Sequence, residues 1–346
     1  MIYKTYKDYR DAWAKAYTET PPVPLNVDIE LASLCNLRCP FCFIPDPNFE
    51  KFIATKSEDG KPRRRLMPKE MAFRIINECA EIGVPALKFN FRGESTLHPD
   101  YSKILKYAKT INQCGGMCFD QHPEYHPFHE LLVNTNANCP DHAIDGLMAA
   151  TKVMVSLDSM SPEIYSQMRV GGNLERAKEV IGELVRRRHP NVWVRRVLTK
   201  INADEDFFGA VRKEWGDKVH VSQHYCFDRN AKEKNEVTGC SHDDGMPRRY
   251  CGYPSQRLVI SSSGYAYPCC LDLHETMPIG SIVVSSLLEI WNGEPIKQIR
   301  EQLKTNDTSR MTDTCRNCES WMAFDAPQRN FVQDVEILES KGIKEA

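Results

Sequence analysis

Between Pro24 and about Cys226, short apolar runs alternate with stretches of helical spacing, a rhythm that predicts parallel strands joined by helices. Six strands are expected, at residues 25–31, 86–92, 131–136, 153–158, 192–200 and 219–226. In the gaps, Met71, Ile75, Cys79 and Ile82 share one helical face with Gly83 as a stop, and Leu174, Ala177, Ile181 and Leu184 repeat the pattern after Asn173. Arg186, Arg187 and Arg188 suit the negative end of that second helix.

The strands themselves carry a second pattern. Buried parallel strands normally read as unbroken apolar runs, yet polar residues alternate here: Asn26, Asp28 and Glu30, then Lys88, Asn90 and Arg92, then Ser156 and Asp158, then His220, Ser222 and His224. One face is therefore expected to be wet. The simplest such arrangement is an α/β fold, a partial (β/α)6 barrel packed outside on helices and lined inside with polar groups; a sheet with one solvated face is the plainer alternative. Residues 48–65 and 112–129 break the rhythm and read as surface loops. A polar, turn-rich stretch at 228–249 reads as a linker. The expected division is an N-terminal extension at 1–23, the barrel at 24–227, and a linker with a small C-terminal domain at 228–346.

Charge excludes little but shifts the balance. Lys and Arg total 45 against 47 Asp and Glu, so a partner held by phosphate electrostatics is unsupported, and no nucleic-acid partner is expected. No apolar run has the length of a membrane span and residues 1–20 lack a signal-peptide core, which predicts a cytoplasmic protein with no membrane partner. In a reducing compartment the 14 cysteines become metal ligands more readily than disulfides, and seven fall into ligand-like groups.

The first group is Cys35-Asn-Leu-Arg-Cys39-Pro-Phe-Cys42, directly after the first strand. Three thiolates on one tight loop can hold three corners of a cubic four-iron four-sulfur (4Fe-4S) cluster and leave the fourth iron open; a zinc site or unrelated thiols are the alternatives. With Phe41 before the last cysteine, the triplet resembles that of the radical S-adenosylmethionine (SAM) superfamily. The resemblance implies that the open iron chelates SAM, and that reductive cleavage yields a 5′-deoxyadenosyl radical able to take hydrogen from a C–H bond. Arg92-Gly93-Glu94-Ser95 resembles the family's Gly-Gly-Glu-Pro element: Gly93 and Glu94 match, Arg92 and Ser95 depart, and Glu94 is implied to hold the SAM amino group. Thr135-Asn136, Ser156, Asp158 and Arg169 stand where the family has SAM-contacting residues, with Arg169 implied to meet the carboxylate. An ordinary polar strand end or surface helix would read much the same at each of these four positions.

The second group is Cys251, Cys269, Cys315 and Cys318, with Cys270 a spare beside Cys269. Four thiolates from three segments make a closed site, for iron–sulfur or for zinc. Gly264-x4-Cys269, Gly280-Ser-Ile and Trp291 before a final Cys-x2-Cys resemble a SPASM domain in its four-ligand form, which implies a second, auxiliary 4Fe-4S cluster and selects Cys269 over Cys270.

Weaker groups remain. Cys114, Cys118, His122, His126 and His129 fit a mobile loop better than a metal site, because they lie in a helix-to-strand connection, at the wrong end of the sheet. His224 and Cys226 approach the substrate end of the sixth strand, and Cys226 could donate a hydrogen atom or be a plain core thiol. Glu30 and Lys88 are proton-transfer candidates. The resemblance implies an oxidoreductase in which the auxiliary cluster accepts an electron from the substrate radical, with a flavodoxin- or ferredoxin-like protein as electron donor. Peptide epimerisation or cross-linking is the close alternative, and a non-catalytic iron–sulfur scaffold or redox sensor the distant one. An N-terminal extension of about 20 residues is short for leader recognition and tips the expected substrate from a peptide toward a small molecule.

Overall fold

A computed structural model describes residues 2–45, 66–114, 127–225, 251–305, 308–316 and 318. Its framework is one nine-stranded sheet in the order β6-β5-β4-β3-β2-β1-β7-β8-β9. The first six strands are Asn26–Ile29 (β1), Ala86–Lys88 (β2), Glu130–Thr135 (β3), Lys152–Ser156 (β4), Val192–Leu198 (β5) and His220–Tyr225 (β6). They pair in parallel, each with the next. Arg257–Ile260 (β7) adds in parallel on the free side of β1, and Tyr265–Tyr267 (β8) and Gly280–Ser281 (β9) follow antiparallel. The sheet is open, as a partial barrel requires, and is mostly parallel.

The strand-to-helix rhythm has a direct packing cause. Val27, Ile29, Leu87, Leu131, Val133, Val153, Val155, Val192 and Val194 are all fully or almost fully buried on the sheet's outer face. They share one core with Ile75, Ile76 and Cys79 of helix Lys69–Ile82, with Ile104, Leu105 and Ala108 of helix Tyr101–Cys114, and with Val180, Ile181 and Leu184 of helix Leu174–Arg186. Each fully buried aliphatic chain contributes roughly 1.5–3 kcal/mol. Gly83, left-handed at φ 83°, and Asn173, whose side chain accepts from Arg176 N, bound two of these helices where the sequence puts a stop and a start. The N-terminal helix Tyr6–Lys15 covers the bottom of the sheet, burying Tyr9 with Val23, Leu25 and Ala86.

Two departures from expectation have physical reasons. Strand β2 stops at Lys88 rather than residue 92, because the Asn90 side chain replaces a backbone neighbour: its Oδ1 accepts from Asn134 N (2.5 Å) and its Nδ2 donates to Asn134 O (2.7 Å). The inner face is polar, yet at β1 it is not wet. Asn26, Asp28 and Glu30 are 7% exposed or less, because arginines from β2's end and from β7 close over them.

Candidate active site

The first cysteine loop leaves the C-terminal end of β1 and meets the loop after β2 at Gly93. That residue has φ +66°, and a Cβ there would stand 2.5 Å from the carbonyl oxygens of both Ala32 and Leu34. Only glycine fits so close an approach with a left-handed backbone. Glu94 N then donates to Leu34 O (2.8 Å), stitching the two loops together.

Glu94 is nearly fully buried. Its Oε1 accepts from Thr96 Oγ1 (2.6 Å), Thr135 Oγ1 (2.9 Å) and Thr96 N (3.3 Å), and its Oε2 from Asn136 N (2.7 Å). Burial raises its pKa while these donors pull it back. Asn136 reaches on to Asn36 Oδ1 (2.9 Å) and approaches Cys35 Sγ at 3.9 Å. Thr135 and Asn136 thus join the acid to the cysteine loop.

Arg169 ties the other side. Its Nε lies 2.6 Å from Asp158 Oδ2, its Nη1 donates to Cys39 Sγ (3.5 Å), and its guanidinium lies over the Phe41 ring, 5.3 Å from the centroid. Asp158 is fully buried at φ 69°, a conformation few non-glycine residues adopt, and accepts from Val197 N (2.7 Å) as well. Burial raises the Asp158 pKa against the pull of Arg169. Ser95 is fully buried and Ser156 half-buried at the end of β4. The three thiols share this neighbourhood: burial pushes Cys35 up to about 12 and also raises Cys39, the latter opposed by Arg169. Unligated, Cys35 and Cys39 hold their protons, and metal would displace them. Among the described residues no three Cys, His, Asp or Glu side chains gather as ligands of a single ion would. The donor set of three sulfurs on one loop fits three corners of a cluster.

Two expected residues face elsewhere. Arg92 points its guanidinium to Glu30, with Nε–Oε1 at 2.8 Å and Nη2–Oε2 at 3.0 Å, and also to Glu275 Oε1 (2.6 Å) and Leu273 O (3.2 Å). Glu30 in turn accepts from Ser262 N (2.9 Å). This buried network clasps β1 and β2 to the C-terminal segment.

Cys251, Cys269, Cys315 and Cys318 line one pocket, walled by Tyr253, Pro254, Leu271, Met277 and Leu303 among others. Four sulfurs in an otherwise largely apolar cradle suit a cluster. Cys270 lies off this lining, 3.9 Å from Arg257 Nη1, which also meets Asp28 Oδ2 at 3.3 Å. A hydrogen bond from the Cys269 thiol holds Cys270 down at about 6 and Cys269 high. Arg257 pairs in register with Asn26, at the start of β1, whereas the Cys35 loop follows its end. The two cysteine groups therefore sit at opposite ends of β1, with the inner face of the sheet between them.

On that face, His224 is pushed down to about 3 by burial and by Arg195, so it is neutral, and its Nε2 is buried with no hydrogen-bond partner among the described residues. Lys88 is half-buried in register with Asp28. Cys226, Cys118, His122 and His126 lie outside the described residues, while His129 is bonded to Tyr3 O and stacked on Tyr9. Sequence reading passed over Arg257 and Arg195. For Arg195 a signal existed, since Trp193 and Arg195 continue the two-residue alternation on β5.

Residues 29–213 match the family model of the Radical SAM superfamily, and residues 251–319 that of SPASM, an iron–sulfur cluster-binding domain. Among curated relatives, a probable GTP 3′,8-cyclase of Methanococcus maripaludis is 26% identical over 159 residues, covering 45% of this chain and 44% of its own, so the match spans less than half of that relative. An S-adenosyl-L-methionine-dependent 2-deoxy-scyllo-inosamine dehydrogenase of Niallia circulans is 27% identical over 82 residues, 24% of this chain and 32% of its own. A PqqA peptide cyclase of Granulibacter bethesdensis is 21% identical over 335 residues, 86% of this chain and 80% of its own. Among solved structures, Streptococcus suis SuiB bound to precursor peptide SuiA overlays with a TM-score of 0.61 at 13% identity, covering 93% of this chain and 77% of that one, a likeness of fold.

Proposed function

The chain belongs to the radical SAM superfamily and carries a SPASM domain, and from that premise we propose that it is an oxidoreductase performing a two-electron oxidation at a substrate C–H bond. Cys35, Cys39 and Cys42 would hold the SAM-binding 4Fe-4S cluster, and Cys251, Cys269, Cys315 and Cys318 an auxiliary one. When bound, these groups and SAM supply reductive cleavage of SAM, hydrogen abstraction, and an acceptor for the substrate's remaining electron.

The protein's own work is positioning. Gly93 admits the loop contact that sets Glu94, whose Oε2, held by Asn136 N, keeps a lone pair for the SAM amino group. Asn136, Ser95, Ser156 and Asp158 supply polar contacts around the nucleoside, and Arg169 meets the SAM carboxylate. Arg92 and Glu30 act at one remove, by fixing the strand ends. His224, neutral on the inner face, is a candidate to hydrogen-bond the substrate, and Cys226 remains a candidate hydrogen donor. The electron enters from a flavodoxin- or ferredoxin-like donor in the cytoplasm, with no nucleic acid or membrane involved.

The observation that carries this reading is the placement of the two cysteine groups at opposite ends of β1, because a substrate on the inner face then lies between the hydrogen abstractor and an electron acceptor. A second reading, modification of a peptide, is favoured by the peptide cyclase relative, whose match spans 86% of this chain. Iron and acid-labile sulfide analysis tests the cluster assignment. The anaerobically reconstituted wild type is expected to hold about eight irons per chain, and alanine variants of either cysteine group about four. Wild-type zinc in the C-terminal site would sink the auxiliary-acceptor role.

A further inference from the structure

We infer that Arg257 raises the reduction potential of the C-terminal cysteine site by holding a fixed positive charge against it, and so fits that site to accept an electron. This deepens the proposed function and rests on the auxiliary cluster assigned there. Arg257 opens β7, in register with Asn26 on β1. Its Nη1 lies 3.3 Å from Asp28 Oδ2 and 3.9 Å from Cys270 Sγ. Cys270 adjoins Cys269, which lines the pocket with Cys251, Cys315 and Cys318. Asp28 gives its other oxygen to Asn26 Nδ2. The Asp28–Arg257 pair therefore turns its positive end toward the sulfurs.

Three features fix that charge in place. The Arg257 and Asp28 side chains are 13% and 0% exposed, so water screens them little. The guanidinium carbon lies 4.5 Å from the centroid of the Tyr253 ring, itself a wall of the pocket, and 5.4 Å from that of Trp13. Gln256 Nε2 donates to Trp13 O (3.1 Å), which ties the helix bearing Trp13 to the start of β7. Net charge and the groups around the ligands set the potential of an iron–sulfur centre, and a nearby cation favours the reduced form because that form is the more negative. Pairing with Asp28 weakens this field without cancelling it, since the cation is the nearer end.

Redox titration followed by electron paramagnetic resonance tests this. The full chain with Cys35, Cys39 and Cys42 changed to Ala, reconstituted anaerobically, reports the C-terminal site alone. Arg257→Met is expected to shift its reduction equilibrium tenfold toward the oxidised form, a fall in midpoint of about 59 mV for one electron, and Arg257→Lys to recover most of that. The Asp28→Asn, Arg257→Met pair of changes removes both ends of the ion pair and strands no charge; its midpoint should also fall, by less than with Arg257→Met alone. Iron analysis of each variant accompanies the titration. A double variant that keeps the wild-type midpoint, or an Arg257→Lys midpoint as low as that of Arg257→Met, overturns the inference. Loss of iron from the double variant also overturns it, since Arg257 would then hold the site together rather than tune it. Zinc in the wild-type site sinks the acceptor role and this inference together. A lowered midpoint in Arg257→Met, beside a wild-type enzyme that yields no oxidised product, supports the inference and sinks the proposed reaction alone.

Discussion

Replacing Arg92 by Met keeps a similar volume and removes a charge that Glu30 and Glu275 share. The side chains of Arg92, Glu30 and Glu275 are 1%, 0% and 6% exposed, so screening by water is small. Breaking a buried pair by deleting one partner costs about 3–5 kcal/mol, because the remaining charge is left desolvated. With an unfolding entropy of about 2.1 cal/mol/K per residue, the 346-residue chain converts that loss into a fall in Tm of about 4–7 °C. Differential scanning calorimetry of the reconstituted protein reads it, and the Arg92→Met, Glu30→Gln pair of changes should recover part of the loss by removing the stranded charge. Glu275→Gln, which leaves the Arg92–Glu30 pair intact, should cost less. A drop under about 1 °C for Arg92→Met would refute the clasp, since it would mean that both carboxylates are satisfied without it.

Three further outcomes follow from the site. Gly93→Ala should cost SAM affinity and about 1–3 kcal/mol of stability, from a forced φ and a clash with two carbonyl oxygens, read by equilibrium dialysis and denaturant titration; unchanged values would mean the loops need not touch. Cys269→Ala should lose the C-terminal iron while Cys270→Ala keeps it, because only Cys269 lines the cavity; equal losses by iron analysis would contradict that division. His224 is held neutral in the fold, with its pKa lowered from 6.5 to about 3, so protons favour the unfolded chain and stability falls as pH drops below 6.5, down to about 3. Between pH 7 and 5 this loss is about 2 kcal/mol, and His224→Phe should flatten the stability profile by that amount, or else the imidazole is not buried neutral.

Much of this was legible from spacing. The period of two on the strands and 3.6 on the helices located all six barrel strands and the helix bounds at Asn173 and Gly83, because those patterns are the direct imprint of burial on one side. The Cys35, Cys39 and Cys42 triplet was legible because thiols on one tight loop are close in sequence, whereas Cys251, Cys269, Cys315 and Cys318 come from three segments and were grouped by resemblance. What spacing could not carry was long-range charge pairing. Arg92 departed from its motif with no visible reason, and the reason lies 183 residues away at Glu275. Asp28 and Glu30 read as groups facing solvent, but Arg257 and Arg92 bury them, the former from 229 residues along the chain. The choice of Cys269 over Cys270 came from resemblance alone; the pocket that Cys269 lines and the Arg257 beside Cys270 come together only once β7 and β8 have joined the sheet.

The central claim is that the thiols of Cys35, Cys39 and Cys42 support reductive cleavage of SAM. Chromatographic assay of 5′-deoxyadenosine, from anaerobically reconstituted and dithionite-reduced protein given SAM, tests it most directly beside a control with all three changed to Ala. Product is predicted from the wild type and none from the control. Equal product from both, or none from a wild type that carries its full iron and binds SAM, would contradict it.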